Sequence, residues 1–122
     1  THILLWAVSE PAKVPGEGRG LLESSANEVL FSAASIWEVA IKLQLGRIDF
    51  KVTPEEISAA ATKMGFVELP ISAAHGARIR KLPLHHRDPF DRILVAQAIC
   101  EPARLLTVDR FLEKYSELVL VM

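Results

Sequence analysis

Four carboxylates stand where chemistry could use them. Glu38 lies in Ser35-Ile36-Trp37-Glu38-Val39-Ala40, inside an otherwise apolar run. If that run is helical, Ser35 and Lys42 share its stripe at spacings of three and four. Asp88 and Asp91 occur in His86-Arg87-Asp88-Pro89-Phe90-Asp91-Arg92, and Asp109 follows Arg104-Leu105-Leu106-Thr107-Val108. Each acid also has an ordinary reading. Glu38 and Lys42 would make a solvated helical ion pair of about 0.3 kcal/mol. Asp88 would cap a helix whose first residue is proline, and Asp91 would sit where the helix dipole favours negative charge. Asp109 would cap a short helix after a strand. Taken together, the four suit a hard divalent cation, Mg²⁺ or Mn²⁺, which prefers carboxylate oxygens. Such an ion relieves the repulsion among clustered acids and can activate water against a phosphate.

Other chemistries find less support. Zinc sites combine well-spaced His and Cys, but His85 and His86 are adjacent and Cys100 is the single cysteine. Cys100, His2, Trp6 and Trp37 read as packing residues, with His2 also a candidate neighbour of the site and base stacking the minority reading for the two tryptophans. Arg87 and Arg92 flank Asp91 and would either contact phosphates or neutralise the acids. Lys42, Arg80 and Lys81 are further candidate phosphate contacts. The formal net charge is −1, so any grip on nucleic acid must come from a local patch. No apolar run reaches the roughly 18–20 residues of a membrane span. The lone cysteine suits a reducing cytoplasm.

The elements that must position these acids follow from pattern. The 122 residues suit one domain, and half are hydrophobic. The opening Ile3–Val8 run reads as core helix. Pro11 to Gly20 reads as a loop, with a short helix near Leu21 and Leu22. Residues 28–32, 66–69, 104–108 and 118–121 are short apolar strands. Helices are expected over 33–45, ended by Gly46, and over 54–64, opened by Thr53-Pro54-Glu55-Glu56. Others are expected over 72–81, from Asp88-Pro89 to Glu101, and over 109–114. Strands alternating with helices predict an α/β fold: a sandwich with a mostly parallel sheet, whose strand C-terminal ends collect ligands.

The blocks Thr1-His2-Ile3-Leu4-Leu5-Trp6, Ser32 to Lys42, His86 to Ala98 and Leu105-Leu106-Thr107-Val108-Asp109 resemble, in order and spacing, a PIN domain of the VapC type. The resemblance covers essentially the whole chain, residues 1–122. It implies a three-layer α/β/α sandwich and a Mg²⁺- or Mn²⁺-dependent endoribonuclease acting on RNA. It also implies a cognate antitoxin laid over the site in a groove of the 33–45 and Ile3–Val8 helices, and a homodimer. By matched position, Glu38, Asp91 and Asp109 are the catalytic and metal-binding acids. Thr107 is a supporting hydroxyl, and Asp88, Arg87 and Arg92 are support. The family's motif places an aspartate at the end of a first strand, just before the Thr-His pair. Here Thr1 is the first residue, so that strand and acid are expected upstream. The alternative is a PIN-like module that binds RNA or protein without cutting.

Overall fold

The computed structural model describes residues 1–47, 52–85 and 87–122, and His86 of the motif that carries Asp88 and Asp91 lies outside them. The chain divides into two compact units, Thr1–Leu69 and Pro70–Met122.

The first unit opens with helix α1 (His2–Ser9), whose Ile3, Leu5 and Ala7 are buried. The stretch expected as loop instead holds a 3-10 turn, Pro11–Lys13, and helix α2 (Gly16–Glu23), with proline opening the former and preceding the latter. Strand β1 (Leu30–Ser32) runs straight into helix α3 (Ala33–Gln44) because the Ser32 hydroxyl accepts the Ala34 N–H and caps it. Helix α4 (Pro54–Lys63) carries the predicted capping box of Thr53 and Glu56. It ends at Gly65, whose φ of 93° suits glycine. Strand β2 (Val67–Leu69) then pairs parallel with β1, Leu30 opposite Val67. The core beneath is Ala7, Val14, Phe31, Ala61 and Phe66, with Leu5, Val39 and Ile57 forming a second cluster.

In the second unit, helix α5 (Ala73–Arg78) passes into a 3-10 turn, Ile79–Lys81. Helix α6 (Pro89–Cys100) is buried all the way round from Arg92 to Ala98, the pattern of a core helix. Strand β3 (Leu105–Thr107), a 3-10 helix (Arg110–Lys114) and strand β4 (Val119–Val121) complete it. Strands β3 and β4 pair in parallel, Leu105 opposite Val119. The architecture is α/β with parallel strands, as the alternating pattern predicts. Among the described residues its ladders are two parallel pairs, one per unit.

Two buried polar groups tie the second unit together. His75 is 3 % exposed. Its Nδ1 accepts the Ser72 N–H at 3.0 Å, so its proton resides on Nε2, which donates to Glu101 Oε2 at 2.8 Å. That joins the cap of α5 to the end of α6. The Arg92 guanidinium, also buried, donates to the carbonyls of Ile79 and Pro83 and reaches the Tyr115 hydroxyl. It thereby ties the turn before α6 to the first turns of α6. Replacing Arg92 by Met should lower unfolding stability by about 2 kcal/mol in a denaturant titration, since part-buried carbonyls lose a charged donor. Arg92→Lys, with one compact ammonium in place of a fork, should recover only part of it.

Candidate functional site

Glu38 lies on the second turn of α3, beyond the cap that Ser32 provides at the end of β1. It is 5 % exposed, so the solvated-pair reading is corrected: this is a buried carboxylate. Burying an unpaired charge is costly, and both oxygens are accordingly engaged. The Thr1 hydroxyl donates to Oε1 at 2.6 Å, and Lys42 Nζ donates to Oε2 at 2.6 Å. The Thr1 oxygen also lies 3.1 Å from the Ser35 hydroxyl, so hydroxyls, carboxylate and ammonium form one hydrogen-bonded chain. Burial alone would push the Glu38 pKa up. The hydrogen bonds from Lys42 and Thr1 and the Lys42 charge outweigh it and hold the group below its ordinary value. Glu38 is therefore anionic at neutral pH.

The other three acids belong to the second unit. Asp88 caps α6, its Oδ1 accepting the N–H groups of Phe90 and Asp91 at 2.8 and 3.3 Å. Its capping role is thus realised. Asp91 is half-buried in the first turn of α6, where the helix dipole favours its charge. Asp109 is exposed just past β3, and its Oδ1 accepts the Phe111 N–H at 2.9 Å. The Thr107 hydroxyl accepts the Asp109 N–H at 3.0 Å, which fixes the backbone that presents this acid. Within either unit, no three His, Cys, Asp or Glu side chains among the described residues group closely enough to hold a metal ion. The donors are carboxylate oxygens throughout, the type that Mg²⁺ and Mn²⁺ prefer, and they fit such an ion in kind.

Several expected roles change. Arg92 points its guanidinium at backbone carbonyls and a phenol, so its main work is to hold the fold. Arg87 is exposed. Trp37 is 56 % exposed and is not core, because the buried stripe of α3 runs through Ala34, Ser35, Glu38 and Val39. Trp6 packs against the first unit's core as expected. His2 is exposed and tilts its ring against Trp6 at 5.9 Å. Cys100 is exposed rather than packed. An apolar cavity of about 330 Å³ lies elsewhere than the expected α1–α3 groove, between Ala7, Val14, Leu22, Met64 and Phe66, with Arg19 and Glu23 among its lining. Thr1 as a partner of Glu38 carried no signal in the sequence, because 37 positions separate the two.

A family model, described as PIN domain, matches residues 1–118 of the chain. No curated protein and no solved structure matches it. No helix among the described residues is long and apolar enough to cross a membrane.

The Glu38 environment makes a pH prediction. A carboxylate with a lowered folded pKa contributes stability that is present above its ordinary value of 4.5 and is lost as pH falls through the folded value. Glu38→Gln should therefore flatten part of the stability loss below about pH 5 in acid denaturation. Lys42→Met should move the Glu38 carboxyl pKa upward in an NMR titration, since burial persists while the counter-charge is gone.

Proposed function

Since the chain belongs to the PIN-domain family, whose members are typically nucleases that bind nucleic acid and use divalent metal ions, we propose that it is an endoribonuclease. It hydrolyses RNA phosphodiester bonds with Mg²⁺ or Mn²⁺ and serves as the toxin of a type II toxin–antitoxin pair of the VapC kind. The observation that supports this best is Glu38: a buried carboxylate kept anionic on an apolar helix just past the end of a parallel strand. Burying a carboxylate where an apolar residue would pack is costly, and the chain offsets that cost with Thr1 and Lys42.

In this reading Glu38, Asp91 and Asp109 carry catalysis and hold the ion, directly or through water. An ion held there would lower the pKa of a bound water and stabilise charge on the leaving oxygen. The chain's own residues do the positioning. Lys42 and Thr1 hold Glu38 in one rotamer and one charge state. Asp88 fixes the first turn of α6 and so the direction of Asp91. Thr107 fixes Asp109, and Arg92 steadies the turn before α6. Arg87 is free to face the substrate. The partners are RNA, a cognate antitoxin whose amphipathic helix covers an apolar groove, and a second copy of the chain. The compartment is the cytoplasm. A non-cutting RNA- or protein-binding module is the second reading. It is favoured by both Glu38 oxygens being occupied and by the absence of a three-acid group within either unit among the described residues.

The test is cleavage of total RNA by the protein, with Mg²⁺, Mn²⁺ or EDTA. Metal-dependent cutting is expected, with Glu38→Gln and Asp91→Asn each lowering the rate by about 100-fold or more. Folded protein that binds RNA but cuts none with either metal supports the binding module instead. Cutting that survives both substitutions places the site elsewhere.

A further inference from the structure

Five of the chain's fourteen Lys and Arg lie between residues 78 and 92, with only two of its fifteen carboxylates. The structure sorts these charges by what they do. Arg92 is turned inward as described. Asp88 is engaged in capping α6. Arg78 is partly buried, and its Nε lies within the fold without a hydrogen-bond partner. Arg80, Lys81 and Arg87 stand in solvent. Elsewhere among the described residues Lys13, Lys42 and Arg110 each sit against a carboxylate of their own helix or its flank, while Arg19, Arg47, Lys63, Arg104 and Lys114 form no such pair but are spread singly along the chain. No such pair forms at Arg80, Lys81 or Arg87 among the described residues.

Three uncompensated cations on one short stretch repel one another, and natural surfaces usually intersperse the two signs. The first part of the stretch is anchored to the rest of its unit. The 3-10 turn with Arg80 and Lys81 packs on α6. Arg92 grips the carbonyls at Ile79 and Pro83 on either side of it. Arg87 directly precedes the α6 cap, and Asp91 follows within the first turn. The neighbouring Leu84 is 83 % exposed.

We propose that Arg80, Lys81 and Arg87 form a phosphate-binding surface that takes the RNA backbone. Arg92 is the positioning residue that holds this surface beside the first turn of α6. The proposal rests on the nuclease reading above, and it names the part of the substrate that these residues meet. A phosphodiester chain fits better than an acidic protein segment because the same end of α6 presents Asp91, where a scissile phosphate must arrive. Backbone contacts of this kind fix register and carry little sequence preference. For a single strand, log K falls with log salt by about 0.7 per phosphate contact, so three contacts give a slope near ~2.

The experiment measures fluorescence anisotropy of a 5′-labelled single-stranded RNA in EDTA, which separates binding from cutting, over a series of KCl concentrations. The triple substitution Arg80→Gln, Lys81→Gln, Arg87→Gln should weaken binding alike across unrelated RNA sequences and reduce the salt slope by about 2. Lys63→Gln, at an exposed position of α4, should leave the slope unchanged. Circular dichroism confirms that the variants are folded. An unchanged slope and Kd in the triple variant, with wild-type RNA cutting intact, overturns this proposal and leaves the nuclease reading standing. An equal loss in Lys63→Gln overturns it too, since attraction would then be general. Wild-type protein that neither binds nor cuts RNA, yet binds poly-glutamate through the three cations, overturns both readings in favour of an acidic protein partner.

Discussion

A buried carboxylate is the constraint around which the first unit is arranged. Glu38 on α3 would be costly without donors, so the chain supplies two. Lys42 comes from the next turn of the same helix, and Thr1 from 37 positions upstream. The second contact turns a helical ion pair into a tertiary one. It sets the start of α1 against the stripe of α3 that carries Ser35 and Glu38, while the apolar residues of α1 and α3 build the core beside it. Local pairing alone would be worth a few tenths of a kcal/mol. With solvent largely excluded, the same pair decides the charge state of the acid and the side-chain geometry around it.

Much of this was legible from residues alone because the signals are local. Thr53-Pro54-Glu55-Glu56 and Asp88-Pro89 open helices by capping chemistry that needs no tertiary partner. Gly46 and Gly65 stop helices because both adopt positive φ. The strands stood out as short apolar runs, and their parallel pairing followed from the intervening helices. What stayed hidden depends on contacts between distant positions. Nothing near Thr1 announces Glu38. Nothing near Arg92 announces that its guanidinium turns to Ile79, Pro83 and Tyr115. Nothing near His75 announces that it is the third helical residue of a cap and the partner of Glu101.

Trp37 and Cys100 show the opposite failure. Residue type favoured burial for both, but their place on the helix decides otherwise. Trp37 lies about 100° round α3 from Glu38, off the stripe that packs inward. Cys100 is the last residue of α6, past the stretch that is buried on every side. Composition gives the odds of burial, and angular position on the element settles it.

The two parallel ladders also close loops of very different length. In the second unit Leu105 meets Val119 only 14 positions on, whereas in the first unit Leu30 waits for Val67, 37 positions on. Loop entropy grows with the logarithm of length, so the first ladder gives up about 0.9 kcal/mol more chain freedom before any hydrogen bond forms. Sequence separation of this kind slows folding. The ladder that precedes Asp109 therefore has the shorter search during folding, and the ladder that leads into Glu38 has to wait for α3 and α4 to bring its strands together.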